Sequence, residues 1–563
     1  MNKHLLSLSL WLLAISLNAA SYYVDFTSGS DASAGTSTGT AFKRCPGDAN
    51  ATGTAASTVL GAGDTVFFKG GVNYEGMVSL NKSGTLGSKL TYDGNSSGAW
   101  GTGKAVMNPT NHPTIIYAFQ TSAAVSNLVI KNFEITEYGG YHVLPAANGC
   151  SAPVTTPKAG SGMQFFNYGV MDTLIQDCYF HEIGEWNPVD PFEDAVIDGI
   201  GIQAQNCHRL TISGCEFTRM YNAISIKTDQ PYTIGTSDVT VTNCNSHNYI
   251  AWGVDIAARA AGCTLSNIVI INSDFHDYQE YDLGQWAGCG ERPHTDGIFI
   301  RNVSLTNTWA GWNRIEGNRF YNTNAVGGGS ACISITEGPS FDIVNNLFMN
   351  TVHGRVIYLH NGRHSGDAPQ TNNIWNNTFW NDHTCVNLTQ GGFDLGWVSL
   401  KNNIFYDTRT GSGANMIVYG EDAVASCIPD ESDYNVYITF NTAGAIWQVP
   451  TGDGELTFSE LQALGFDAHS LTVDPLFIDR TQGVGINILN NDLRLQSSST
   501  AINAGTTISA LAWDKYRTAR PQGAAYDIGF FEYSGGGGGG SSGSTNVGRF
   551  FSFPRGLRIG GAR

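Results

Sequence analysis

Apolar and polar residues alternate in a short pattern that returns nine times between residues 128 and 405. Each copy reads apolar-x-apolar-x, then Asn or another small residue, and most copies end in Phe a few residues later. Leu128–Ile135, Ile268–Phe275 and Val398–Phe405 are examples. Because the period within each copy is two, the pattern predicts a β-strand rather than a helical segment.

The copies recur at intervals of 26 to 45 residues, and a second strand pattern follows most of them, as in Asn222–Ile226 and Asp296–Ile300. Repeats of this size are supersecondary units that bury their apolar faces by stacking on their neighbours. The sequence therefore predicts an all-β fold, a single-stranded right-handed parallel β-helix of roughly twelve to thirteen rungs.

Parallel stacking places equivalent residues of successive rungs on top of one another, so each repeat position predicts a column. We expect an amide ladder formed by Asn132, Asn243, Asn272, Asn345, Asn376 and Asn402. We expect an aromatic stack in the core formed by Phe180, Phe217, Phe275, Phe320, Phe348, Phe379 and Phe405. Cys178, Cys215 and Cys244 share one position and predict a column of buried thiols, with one bridge as an alternative, rather than a metal site.

The two ends of the chain differ in composition from the repeats. Residues 1–20 have a basic start, an apolar run and a small-residue end, which predicts a signal peptide and a secreted or cell-surface protein. No later stretch has the length and apolarity of a transmembrane helix. We assign residues 21–533 to the β-helix and 534–544 to a Gly/Ser linker. Residues 545–563 form a tail that is either a sorting or anchoring segment or a plain disordered end.

The first and last parts of the predicted β-helix carry a resemblance to a known group. Tyr22–Asp31, Gly63–Gly71, Val473–Ile478 and Tyr526–Glu532 resemble the opening and closing rungs of secreted β-helix proteins of the pectate-lyase-like superfamily. The resemblance implies a pectin-lyase-like solenoid up to Tyr533 and a carbohydrate as partner. Polysaccharide lyases, related glycoside hydrolases and binding proteins share this scaffold, so the reaction stays open.

The formal net charge is −18, with 48 acidic residues in the chain. Such a charge disfavours binding to nucleic acid or to anionic membranes. We expect a monomer, and the resemblance implies a polysaccharide as its partner.

Two links between first and second strands are long, at residues 182–197 and 277–295. Both occur at the same corner of the rung, so they predict two walls of a groove, with the strands between them as its floor. Aromatic and acidic residues on these links are expected to bind sugar rings or calcium. The aromatic candidates are Trp186, Tyr281 and Trp286, and the candidate calcium ligands are Glu182, Asp190, Glu193 and Asp194.

Alternation along the floor strands places their polar residues on the outer face, opposite the inward Ile and Val. Catalysis is predicted for Lys227, Asp255, His294, Asp296 and Arg301. Substrate binding by side chains around them is predicted for Asp198, His247, Arg259 and His276.

Two reactions fit these residue types. In β-elimination on a uronate, Lys227, Arg259, Arg301 or calcium would neutralise the carboxylate, with His294 as acid or base. Hydrolysis needs two carboxyl groups, for which Asp255 and Asp296 are the best pair. We favour the lyase; a hydrolase and a non-catalytic adhesion protein remain alternatives.

Overall fold

The fold rests on three parallel sheets whose strands follow one another in each rung. The computed structural model describes residues 19–109, 115–138, 160–165, 170–184, 199–228, 235–259, 262–278, 295–302, 308–323, 331–336, 340–351, 355–360, 371–382, 384–389, 397–407, 417–420, 428–440, 445–448, 454–480, 489 and 491–535. No helix in this described part is long and apolar enough to cross a membrane.

The first sheet follows the order Ser21–Val24, Thr65–Phe68, Leu90–Asp93, Leu128–Lys131, Val170–Gln176, His208–Ser213, Thr236–Thr242, Thr264–Ile271, Arg314–Glu316, Asp342–Val344, Thr371–Trp375, Trp397–Lys401 and Glu431–Asp433, with Val125–Ser126 and Thr308–Ala310 beside it. The second sheet follows the order Asn73–Tyr74, Ala105–Met107, Phe133–Thr136, Tyr179–Ile183, Glu216–Met220, Asn245–His247, Asp274–His276, Arg319–Thr323, Leu347–Thr351, Thr378–Trp380, Ile404–Asp407 and Val436–Thr439.

The third sheet follows the order Val78–Leu80, Tyr117–Thr121, Gly160–Phe165, Gly199–Gln205, Asn222–Thr228, Trp252–Ala258, Asp296–Asn302, Ala331–Thr336, Arg355–His360, Thr384–Thr389, Val418–Gly420, Ala445–Gln448 and Glu455–Thr457. Its last pair is antiparallel, whereas the other pairs of these three sheets are parallel among the described strands. Outside the sheets lie a 3-10 turn at Thr38–Thr40, helices at Gly53–Ser57 and Phe458–Ala463, and an antiparallel pair, Phe477–Asp479 with Asp492–Leu495.

These sheets confirm the predicted parallel β-helix. Inside it, the predicted aromatic stack is present: the rings of Phe348 and Phe379 lie 4.7 Å apart, centroid to centroid, and are nearly parallel. The stack is interrupted once, because Ser246 lies between Phe217 and Phe275 in register. Cys178, Cys215 and Cys244 are buried and unbridged, as expected of a thiol column.

The predicted amide ladder is wrong by one residue. Asn132, Asn243, Asn272, Asn345, Asn376 and Asn402 all have φ between 52° and 61° and therefore occupy tight left-handed corners, which Asn tolerates better than most residues. The continuous buried ladder is formed by the next column, Asn318, Asn346, Asn377, Asn403 and Asn435. From Asn346 onward, each side-chain oxygen accepts from the backbone and side-chain amides of the Asn in the rung before, at 2.9–3.1 Å.

The C-terminal part also differs from the prediction that rungs continue to residue 533. The strands of the coil end at Glu455–Thr457, and the following segment packs on the side of the coil. Three corner Asn side chains bind it: Asn345 donates to the Trp513 carbonyl, Asn376 to the Asp527 carbonyl and Asn402 to the Thr506 carbonyl. The corner column thus mainly docks this segment, although Asn402 also donates to Asn376 Oδ1 along the axis at 3.1 Å.

Candidate active site

Three neighbouring strands of the third sheet bring a charged cluster together on its outer face. Ser225 lies opposite Asp255 in register, and Lys227 and Arg301 flank Ala257 on the two neighbouring strands. The Ser225 hydroxyl donates to Asp255 Oδ2 at 3.0 Å. The Lys227 Nζ lies 3.9 Å and the Arg301 Nη2 3.3 Å from that same oxygen.

Asp255 is fully buried, with 0% of its surface exposed. A buried carboxylate is stable only where partners compensate its charge. Here Lys227 and Arg301 do so from opposite sides. Because two cations share one anion, the trio keeps one formal positive charge, and Asp255 fixes the positions of both cations.

Next to this cluster lies a cavity of about 440 Å³. This volume falls within the range of small-ligand sites. Lys227, Arg259 and Arg301 contribute the charged groups of its lining, and among the described lining residues there is no Asp or Glu. The cavity is therefore suited to an anion.

The remaining lining is uncharged. It consists of Tyr117, Ser161, Gln164, Ile200, Gln203, Tyr221, Asn222 and Trp252. Gln164 accepts from Gln120 at 2.8 Å and donates to Gln203 at 3.2 Å, so an amide ladder runs along the floor. Burial raises the pKa of Tyr117, although its bond to Gln164 opposes the rise. The Tyr117 hydroxyl is accordingly neutral at physiological pH.

Arg301 is held by aromatic faces as well as by charge. Its guanidinium carbon lies 4.9 Å from the ring centroid of Trp252 and 5.3 Å from that of Phe299, and these two rings stack on each other. Cation–π contacts of this kind orient a guanidinium without neutralising it. The cation therefore remains available to a ligand.

Asp296 occupies a different position from Asp255. It pairs in register with Trp252, three residues before Asp255, which places it roughly 10 Å farther back along the strand direction. It is fully buried, and its Oδ1 accepts the backbone N–H of Ala331 at 2.8 Å. Neither Asp255 nor Asp296 is among the described residues that line the cavity.

His247 and His276 belong to the second sheet, whereas the cluster lies on the third. Their rings stack at 4.9 Å. His247 Nε2 lies 3.2 Å from Glu216, and His276 Nδ1 lies 2.7 Å from Asp277. The hydrogen bond with His247 is the main cause of the lowered pKa of Glu216, and burial of the carboxyl group opposes this effect. Among the described residues, neither histidine lines the cavity.

The candidate calcium ligand Glu182 already has a cationic partner. Its Oε1 lies 2.9 Å from an Arg219 nitrogen, and its Oε2 lies 3.2 Å from His181. The described residues contain no group of three or more His, Cys, Asp or Glu side chains arranged to hold a metal. These contacts do not fit a calcium site at Glu182.

The other predicted site residues lie outside the described part of the chain. They are Trp186, Asp190, Glu193, Asp194, Asp198, Tyr281, Trp286 and His294. Most of the two predicted walls of the groove, residues 185–197 and 279–294, also lies outside the described part, and these assignments stay predictions.

Sequence reasoning missed the uncharged half of the cavity. Gln164 precedes the first long link, Gln203 follows it on the strand Gly199–Gln205, and Asn222 starts the next strand, whereas the predicted outward set began at Ser225. The alternation used for Ser225 and Asp255 extends to Gln164 and Gln203, which occupy the same register column. Applied to the earlier strands, it would have found them.

The comparisons with known proteins agree with this architecture. Residues 114–291 match the family model described as the right handed beta helix region. The fold is therefore a right-handed parallel β-helix, and the resemblance to right-handed β-helix proteins noted in the sequence is confirmed. No curated protein matches the chain significantly.

Several solved structures are similar in outline. Pectate lyase Pel9A is 15% identical with a TM-score of 0.46, over 91% of this chain and 96% of that chain. The GH136 lacto-N-biosidase from Eubacterium ramulus is 12% identical with a TM-score of 0.44, over 81% and 67%. A rhamnogalacturonan lyase is 14% identical with a TM-score of 0.42, over 71% and 85%. These neighbours are lyases and a hydrolase. At such low similarity they do not indicate the activity of this chain, which has to be inferred from its own site.

Proposed function

We propose that this protein is an exported polysaccharide lyase that cleaves a uronate-containing polysaccharide by β-elimination in the cavity beside Lys227 and Arg301. The observation that carries the proposal is the charge of the cavity lining: three cations and, among the described lining residues, no carboxylate. In a chain of net charge −18, such a concentration of positive charge favours an anionic ligand.

The chemistry of β-elimination matches these groups. A cation at the uronate carboxylate makes the neighbouring C–H more acidic, because it stabilises the negative charge that develops there. A base takes this proton, the electron pair forms a C=C bond, and the glycosidic C–O bond breaks. The leaving oxygen then receives a proton.

The residues divide these tasks according to their surroundings. Arg301, stacked on Trp252, and Lys227, beside Asp255, suit carboxylate neutralisation. Asp255 acts as a positioning residue that holds both cations. Lys227, Arg259 and His294 are the candidates for proton transfer.

Hydrolysis by Asp255 and Asp296 has less support. Hydrolysis requires two carboxyl groups facing the scissile bond. Asp255 and Asp296 are both fully buried, and each carboxylate is bonded to protein groups.

The test is incubation of the purified protein with a panel of uronate and neutral polysaccharides. A lyase releases unsaturated uronate ends, which absorb in the ultraviolet, whereas a hydrolase releases reducing ends without this absorbance. Lys227→Met and Arg301→Gln should lower kcat/KM by about a hundredfold or more.

Arg209→Gln is the matched control, because Arg209 pairs with Asp172 on the first sheet, away from the cavity. It should keep wild-type activity. Thermal melting of all three variants separates loss of chemistry from loss of folding. Hydrolytic products, or binding without turnover on every polysaccharide, would contradict the lyase proposal.

A further inference from the structure

A second cationic cluster lies on the outer face of the third sheet, beyond the cavity. The Arg355 guanidinium carbon lies 4.0 Å from the ring centroid of Tyr358, and the centroid of the His360 ring lies 5.2 Å from that of Tyr358. All three side chains are partly exposed, and none of them is among the described residues that line the cavity. The cluster is therefore a separate feature with exposed surface of its own.

Strand register places this cluster in line with the cations of the cavity. His360 lies in the register column of Arg301, with Thr336 between them, and Tyr358 lies in the register column of Phe299. Two rungs correspond to roughly 10 Å along the coil axis. The combination of an arginine with an aromatic ring, seen at Arg301, thus recurs two rungs farther along the same face.

The rung between the two clusters carries small side chains on its outer face. Ser334 and Thr336 occupy these positions, and Asn387 and Thr389 occupy the same positions on the rung beyond the second cluster. A Ser or Thr side chain fills less space than the aromatic, guanidinium and imidazole groups on either side. An extended ligand can therefore pass from one cluster to the other without meeting a carboxylate at these described positions.

The outer face differs in the opposite direction along the coil. Toward the N-terminal rungs, Gln203, Gln164 and Gln120 follow one another in a single register column. Their amides are bonded to each other and carry no charge. Among the described outward positions, cations therefore continue beyond the cavity only toward the C-terminal rungs, so a ligand with several negative charges is favoured in that direction.

We propose that Arg355 and His360 form a second anion-binding subsite, and that the substrate carries two or more uronates along the coil axis, with one carboxylate at Lys227 and Arg301 and another at this subsite. This inference rests on the proposed lyase function. Arg355 supplies a permanent positive charge and is oriented by the Tyr358 ring, while a ring N–H of His360 donates to the carboxylate. The subsite binds the substrate without taking part in the chemical step.

The experiment measures the cleavage of a size series of oligouronates at one salt concentration. Initial rates of unsaturated uronate release give kcat and KM for each length. In the wild type, KM should fall about tenfold or more once an oligomer is long enough to reach both clusters, because a charge-assisted hydrogen bond is added. The value of kcat should change little among these lengths, since binding far from the reacting atoms is equal in substrate and transition state.

The double substitution Arg355→Gln and His360→Gln should raise the KM of the longer oligomers to the level of the shorter ones. Lys401→Gln is the matched control, because Lys401 pairs with Glu431 on the first sheet, away from this face. It should keep the wild-type dependence on length. Melting temperatures identify a folding failure, and if the double variant does not fold, His360→Gln alone should show the same effect at smaller amplitude.

Three results would contradict the inference in distinguishable ways. A KM that does not fall with length in the wild type, or a fall that persists in the folded double variant, overturns the subsite but keeps the lyase. An equal loss of kcat/KM on every length in the folded double variant shows that these residues do not form a separate subsite. Absence of cleavage of any uronate oligomer or polymer by the wild type overturns the lyase function itself, and the subsite with it.

Discussion

At the scale of single residues, one local requirement, either a backbone conformation or burial, decides which residue types occupy each column of the coil. The corner column needs positive φ, which explains why Asn, Asp and Gly alternate there: Asn243 has a φ of 53°, Asp177 also 53° and Gly214 65°. The interior column beside it needs side chains that either are apolar or bond along the axis. The repeat pattern indicated the corner column, but the amide ladder was assigned to it instead of to the interior column beside it. Doublets such as Asn345-Asn346 contain one residue of each column.

Two buried serines in neighbouring interior positions provide a test at this scale. The Ser246 hydroxyl is buried between Phe217 and Phe275 and has no hydrogen-bond partner among the described residues. Ser246→Ala removes an unsatisfied polar group, so we expect the free energy of unfolding to rise by about 1 kcal/mol. Chemical denaturation of the purified variant measures this change.

Ser273→Ala is the matched control of opposite sign. The Ser273 hydroxyl accepts from the Cys244 N–H and donates to the Ile271 carbonyl, both at 3.1 Å. Its removal should lower the free energy of unfolding by about 1–3 kcal/mol. Equal effects of the two substitutions would contradict the assignment of Ser246 as the unsatisfied group.

At the scale of elements, strand alternation carried most of the prediction. The strands, the aromatic stack and the outward direction of Lys227, Asp255 and Arg301 all follow from a period of two. The position of the C-terminal segment did not follow, because its short apolar runs resemble rungs while their hydrogen bonds go to corner Asn side chains. That difference depends on contacts across more than 100 residues, such as Asn402 with Thr506, which local patterning does not encode.

The buried Asn ladder is the element whose loss should be most damaging. The Asn377 side chain accepts two bonds from Asn346 and donates to Ile343 and Asn403. Asn377→Ala orphans several buried groups at once, so we expect a loss of about 3 kcal/mol or more in the free energy of unfolding. Chemical denaturation checks this value.

Asn373→Ala gives the comparison on the same rung. Asn373 is half-buried and donates a single side-chain bond to Asp342. Its loss should lower the free energy of unfolding by less than about 1.5 kcal/mol. A ladder variant no less stable than this control would show that the interior amides do not hold the rungs together.

At the scale of the whole molecule, charge is distributed unevenly. The chain carries a formal net charge of −18, yet the cavity is lined by Lys227, Arg259 and Arg301. Composition alone predicted an acidic body and therefore argued against an anionic ligand. The local reversal of sign depends on which side chains meet across three strands, and composition cannot show it.

This contrast predicts a dependence on substrate length. Under the proposed lyase function, a short oligouronate would occupy only the cavity and experience mainly the nearby cations, whereas a long polyuronate would also extend over the acidic surface and be repelled there. Salt screens distant charges first, since the screening length is about 30 Å at 0.01 M and about 10 Å at 0.1 M. Raising the salt concentration over this range should therefore lower the KM of the polymer relative to that of the oligomer.

Steady-state kinetics on both substrates measures the ratio of the two KM values. Arg209→Gln, which alters the charge on the first sheet, should not change how this ratio depends on salt. If the two KM values change in parallel, the bound polymer does not contact the acidic surface and must extend from the cavity directly into solvent.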